Sequence, residues 1–314
     1  MLGLSLVLPL MIIIITGNLL RTRGFYSKND VDTLTKTLYW VILPPLLFRA
    51  TLESGREVLS QPNLLISLNI CYIVTIIIAW GGAKYIFHKD NRLRIATAAF
   101  SSIRANNLYL GFPVMYIAMG DAGLHNASVY LAVSTISFQL FSIVAGEAIL
   151  CGRPSFSVSC RILRNIALNP LVISCVTGIL LALFGVERLP RELDEAMRLM
   201  GSAATAVALL ALGGTLELSG IGKVISMIRS TWPDSAIKLL IHPALMWGLL
   251  VLFPVPRPLL QATVMLSSMP SAVNCFILAK AMGMDWSYAA DLVASTTVLG
   301  IISIPLWAHV LGIV

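Results

Sequence analysis

The sequence predicts an all-α membrane protein of ten transmembrane helices, built as two inverted five-helix repeats with broken crossover helices four and nine. Three observations carry that expectation. The chain of 314 residues is 57% hydrophobic and only 12% charged. It contains ten apolar runs long enough to cross a bilayer. Short motifs recur in the same order at offsets of 161 to 166 residues. Soluble domains carry roughly 25% charged residues, and half that share cannot coat a water-facing surface. The composition therefore excludes a soluble enzyme, a disordered chain and a disulfide-stapled secreted module. The net charge of +7 then reads as basic cytoplasmic loops, and no nucleic-acid partner is expected.

A helix that spans the hydrocarbon core needs about 20 apolar residues. Runs of that kind are Leu2–Leu20, Leu34–Leu52, Leu64–Phe87, Ile95–Met119, Ala127–Leu150, Ile166–Phe184, Leu199–Leu218, Ala236–Phe253, Leu259–Met282 and Tyr288–Leu311. None alternates with period two, which excludes a β-barrel reading. The first run follows Met1 without a basic stretch or a small-residue cleavage site, so it reads as a retained span. Basic residues gather after the odd-numbered spans, among them Arg21, Arg23, Lys84, Lys89, Arg92, Arg153, Arg161, Lys223 and Lys280. The other side holds Arg49, Arg56, Arg188, Arg191, Arg198 and Arg257. That asymmetry puts both termini outside and the basic loops in the cytoplasm. The five cysteines (Cys71, Cys151, Cys160, Cys175 and Cys275) show no metal spacing and read as structural.

The repeat is visible in the text of the chain. PLMIIIITGNLL from Pro9 aligns with PLVISCVTGILL from Pro170, Ser101-Ser102-Ile103 with Ser267-Ser268-Met269, and Ala118-Met119-Gly120 with Ala281-Met282-Gly283. Residues 1–150 form one copy, 151–164 a short cytoplasmic linker and 165–314 the second copy. Five spans per copy is an odd number, so the second copy enters the bilayer upside down. Secondary transporters use this arrangement, with the site at the midplane between repeats.

In such proteins the site is built from discontinuous helices in matching positions. Span four holds Arg104, Asn106, Asn107, Gly111 and Pro113 within ten residues. Proline and glycine there predict an unwound stretch near Leu110–Pro113, with a half-helix starting at about Pro113. Span nine supplies Pro270 as the break and Asn274 one turn later. Two half-helix N-termini then face each other across the midplane and favour an anion. Arg104 lies roughly 15 Å inside its span at 1.5 Å per residue. A charge at that depth costs a few kcal/mol unless it is paired or hydrated, which makes it a functional candidate or a strut for the broken helix. Asp291, Glu147, Glu217, Asp234 and His242 lie nearer span ends and read as solvated faces. Pro44-Pro45 and His242-Pro243 read as kinks. No metal-ligand, phosphate-loop or nucleophile–base motif appears, so no enzyme activity, metal or cofactor is expected.

The Arg-x-Asn…Gly-x-Pro stretch of span four resembles the crossover of the auxin efflux carrier (AEC) family. So do GNLLRTRGFYSKND…LPPLLF near the N-terminus and MPSAVNCFILAKAMGMD…STT…PLW near the C-terminus. The similarity runs over the whole chain. It implies the fold of bile-acid symporters and PIN-type carriers, with helices 1, 2, 6 and 7 as scaffold and 3–5 and 8–10 as a moving transport core. It also implies a secondary active transporter of small organic anions, auxin-like monocarboxylates or malate- and malonate-like dicarboxylates, with elevator-type alternating access. The alternative is an anion channel or membrane receptor using the same pocket. Carried over by position, Asn107 and Pro113 match one crossover of the family, and Pro270 and Asn274 the other. The short central loop departs from the long plant carriers and suggests a prokaryotic inner-membrane protein. Proton coupling, sodium coupling and neither remain open from sequence, and homodimerisation rests on the resemblance alone.

Overall fold

The computed structural model describes residues 2–59, 61–151, 164, 167–168, 170–186, 189–215 and 221–313. The linker is almost wholly outside that set, as are Glu217 and the loop residues 187–188. All regular structure among the described residues is helical, with one isolated antiparallel β-bridge between Ala105 and Ser271. Among the described residues, four helices are long and apolar enough to cross a membrane: Pro62–Phe87, Arg191–Thr215, Val224–Leu252 and Trp286–Val310. A fifth span is bent by 41° between Asn107–Thr135 and Ser137–Leu150. The chain is an integral, multi-pass membrane protein.

In chain order the helices are α1 (Leu2–Thr22), α2 (Lys28–Thr37), α3 (Leu43–Leu59), α4 (Pro62–Gly82), α5 (Arg92–Ser101), α6 (Phe112–Cys151), α7 (Pro170–Leu183), α8 (Arg191–Thr215), α9 (Ile221–Ala236), α10 (His242–Leu252), α11 (Arg257–Ser267), α12 (Asn274–Ala281) and α13 (Trp286–Val310). Outside the apolar spans, α2 starts at a capping box. The Ser27 hydroxyl accepts from Asp30 N, and the Asp30 carboxylate accepts from Ser27 N at 2.7 Å. Those bonds hold the Asp30 carboxyl below the usual carboxylate range.

The prolines expected as kinks at Pro44 and Pro243, and the one expected as a break at Pro113, have a common structural solution. π-Helical turns at Leu38–Ile42, Asn107–Gly111 and Ile237–Ile241 each end two residues before a proline: Pro44, Pro113 and Pro243. A proline ring clashes with the carbonyl four residues back and offers no N–H. The wider π turn accommodates both problems without ending the helix. Gly120 and Gly283 are also alike. Both have positive φ (62° and 74°), where side-chain-bearing residues are disfavoured, Gly120 at a kink inside α6 and Gly283 between α12 and α13.

Packing joins α3 to α7 and α1 to α8 over long stretches, whereas α9 packs on α13, α5 and α11 on α6, and α12 on α13. Gly213 shows why small residues line the α1–α8 seam. A Cβ there would collide with the backbone carbonyl of Ile14, so glycine lets the two helix backbones touch.

Candidate functional site

Helices α5 and α11 are 10 and 11 residues long, roughly 15 Å each at 1.5 Å per residue, so each reaches only half-way through a bilayer core. They stop where their chains unwind, at Ser102–Asn106 and Ser268–Val273, and those two stretches pair with each other. Asn106 N donates to Pro270 O at 2.7 Å, and Ala272 N donates to Arg104 O at 2.9 Å. Unwound backbone deep in a membrane must find internal partners, and each break supplies them for the other.

This pairing moves the first break from its expected place. Sequence pattern put it at Leu110–Pro113; the unwound residues are 102–106, more than a turn earlier. The π turn absorbs Pro113, so nothing forces the helix apart there. The second break brackets Pro270 as expected. Gly111 lies inside the π turn, where a Cβ would overlap the Leu266 side chain of α11. Its absence lets the two crossovers pack closely.

Arg104 is 1% exposed. Its Nη1 donates to Gln139 Oε1 at 2.6 Å and Ser142 Oγ at 2.9 Å, both on α6, and its Nη2 reaches Asn274 Oδ1 at 3.5 Å. The guanidinium also lies over the rings of Phe100 and Phe138, at 4.9 and 5.5 Å. Its Nε has no partner, and among the described residues no carboxylate pairs with the charge. The structure thus brings Arg104 and Asn274 together across 170 positions of sequence. Asn106 and Asn107 are 2% and 4% exposed, with Asn106 Nδ2 and Asn107 Oδ1 unpartnered. Ser101 Oγ and Ser271 Oγ, beside the same breaks, are also buried without partners. Buried polar atoms are rarely left unpaired, so their concentration at the crossing makes it the candidate site. The arrangement offers one fixed positive charge, amide donors and acceptors, and loose backbone.

A cavity of about 230 Å³ lies nearby between α1 and α13, lined by Met11, Ile14, Ile15, Asn18, Leu19, Thr297 and Val298. A smaller one shares Met11, Ile14 and Thr297 and adds Leu110 and Gly300, which carries it to the first crossover.

Sequence reasoning missed the α6 side of the site. Gln139 and Ser142 are three residues apart on one helix face, and that polar pair in an apolar span was the available signal. It also placed Asp234 and His242 on solvated faces, yet they are 4% and 0% exposed. His242 Nδ1 sits 3.0 Å from Thr75 Oγ1, and its ring stacks on Tyr72. Lys238, also fully buried, donates from Nζ to Ser267 O, the last carbonyl of α11, at 2.9 Å. Near a helix C-terminus a cation is favoured by the helix dipole.

Apolar membrane-length helices and two unwound segments joined at a polar, buried crossing define a membrane transporter. The comparisons agree. A family described as "Membrane transport protein" matches residues 154–308. The protein named "Putative malonate transporter" of Rhizobium meliloti (strain 1021) is 26% identical over 96% of this chain and 93% of its own length. An "Uncharacterized transporter" of Methanothermobacter thermautotrophicus is 24% identical over 97% of both chains. The second half of the chain is thus similar to this membrane-transport family, and nearly the whole chain is similar to proteins named as transporters.

Proposed function

We propose that the protein is a secondary carrier of a small organic carboxylate, bound where the two broken helices cross. The observation that carries this reading is Arg104: a buried, permanently charged group whose partners are all neutral. An isolated charge in a low-dielectric interior is costly, and a substrate carboxylate supplies the missing counter-charge. The edge of the guanidinium formed by Nε and Nη2 is the less engaged one, suited to a two-pronged carboxylate contact. Asn106, Asn107 and Asn274 add neutral donors and acceptors. Pro113, Gly111 and Pro270 shape the backbone that holds them.

In this reading the chain is a ten-helix inverted repeat of residues 1–150 and 165–314. The seams α1–α8 and α3–α7 support a scaffold of spans 1, 2, 6 and 7, and the contacts among α4, α5, α6 and α9 to α13 support a separate core. The matching turns at Gly120 and Gly283 support the repeat itself. The core then shifts against the scaffold in an elevator-like step, and the α1–α13 cavity lies on the seam between them. Malonate is the first substrate to test, because the Rhizobium relative carries that name.

Counterflow in proteoliposomes tests the reading. Radiolabelled malonate outside should enter faster when unlabelled malonate is inside, because a carrier returns loaded more readily than empty. Uptake indifferent to internal malonate, with conductance in planar bilayers, would replace the carrier with a channel.

A further inference from the structure

Away from the crossover, three titratable side chains from distant parts of the chain meet in a buried cluster. Tyr288, in the first turn of α13, donates its hydroxyl to Asp234 Oδ2 on α9. His88, just past the end of the α4 span, places Nε2 at 3.1 Å from the same oxygen and 3.1 Å from the Tyr288 hydroxyl. The His88 and Asp234 side chains are 7% and 3% exposed. Asp234 Oδ1, the other carboxylate oxygen, is buried with no partner at all. Resting on the carrier reading, we propose that Asp234 Oδ1 takes up one proton with each substrate, making the protein a proton-coupled carrier.

The chemistry of the pocket selects the ion. A hard metal cation asks for about six or more oxygens, whereas one open carboxylate oxygen is a complete site for a proton. An O–H bond forms at Oδ1 with a proton from water and breaks when the proton returns to water. Around Asp234, the groups contributed by neighbouring elements are His88 from the α4 end and Tyr288 from α13. Behind Tyr288 lie Arg94 of α5, whose guanidinium is 4.6 Å from the Tyr288 ring, and Asp285, paired with Arg94 at 3.2 Å. In the π turn that continues α9 the nearest charge-bearing side chain is Lys238, about one turn further along.

Lys238 connects the cluster to the substrate. Its Nζ donates to Ser267 O at the edge of the second break, on the same span as Asp234. While Asp234 is ionised, its negative charge disfavours an anion at the crossing. Once Asp234 is protonated that repulsion is gone, and an anion binds there more readily. By linkage the two ligands raise each other's affinity. The second break is also tied to α13, because Ser271 N donates to Thr296 Oγ1 at 3.1 Å. A gate would bridge core and scaffold; this cluster joins only α4, α9 and α13, all on the core side, so the proton travels with the substrate.

The test is calorimetric titration of the purified full chain with malonate at about pH 7.5, where free carboxylates are ionised, in two buffers of different ionisation enthalpy. The dependence of heat on buffer counts protons taken up per malonate bound. The wild type should take up about one, and its affinity should fall as pH rises. Asp234→Asn should bind malonate with no proton uptake and with pH-independent affinity. Tyr288→Phe keeps the carboxylate but removes its hydroxyl partner, so the pH midpoint of malonate affinity should move. This second variant decides the matter if Asp234→Asn fails to fold. Undiminished proton uptake in Asp234→Asn, none in a malonate-binding wild type, or an unmoved midpoint in Tyr288→Phe overturns the inference alone. A wild type that binds no organic acid overturns the carrier reading, and this inference falls with it.

Discussion

Replacing Arg104 by glutamine separates a charge that binds substrate from a strut that holds a broken helix. In the structure the side chain does at least part of the second job. Nη1 bridges Gln139 and Ser142 on α6, while the backbone carbonyl of Arg104 accepts from Ala272 N. Glutamine keeps the backbone pairing and can reach one of the two α6 partners, so one neutral-acceptor contact is left unmade. That costs about 1–3 kcal/mol if the orphaned group stays buried, a loss readable as a lower melting temperature. If the guanidinium also pairs with a carboxylate, a charge-assisted bond of about 1.5–3 kcal/mol disappears as well. At 1.4 kcal/mol per tenfold, affinity for malonate should then fall by about 10- to 150-fold. The assay is binding of malonate and of its neutral diamide to purified wild type and Arg104→Gln, with melting temperature recorded alongside. A direct role predicts a large loss for the acid and little change for the diamide. Arg104→Lys should lie between, since it keeps the charge but not the planar fork. Equal losses for acid and diamide would refute the direct role and leave Arg104 as a strut.

Asn107→Ala and Asn274→Ala should each weaken malonate binding by on the order of 1–3 kcal/mol with the melting temperature nearly unchanged; normal binding in both would move the site elsewhere. Gly213→Leu should lower the melting temperature, because its side chain must enter the backbone of α1 at Ile14; overpacking of this kind costs about 1–3 kcal/mol, and an unaltered melting curve would show that the α1–α8 seam can part freely. For orientation, single cysteines at Asp90 and Arg257 on a cysteine-free background should label oppositely with an impermeant thiol reagent applied from outside, Arg257→Cys reacting and Asp90→Cys not; the reverse pattern would invert the topology.

Composition alone determined that this is a membrane protein, because 12% charged residues cannot solvate the surface of a soluble domain of this length. Local chemistry also determined that the chain breaks around Pro270, since a missing N–H is a property of a single residue. The depth of Arg104 in an apolar run followed in the same way, though its burial against α6 did not. What the sequence did not determine was where the first break falls. That depended on Asn106 and Arg104 finding backbone partners at Pro270 and Ala272, more than 160 residues away, while a π turn absorbed Pro113. The partners of Arg104 on α6 were likewise decided by packing, as was the burial of Asp234. Lying near a span end, Asp234 reads as solvated until the fold sets His88 and Tyr288 against it. Hydropathy reports how deep a residue sits along a helix axis. Which way it faces, and what it meets there, is a property of helices packed side by side, and only the tertiary structure contains it.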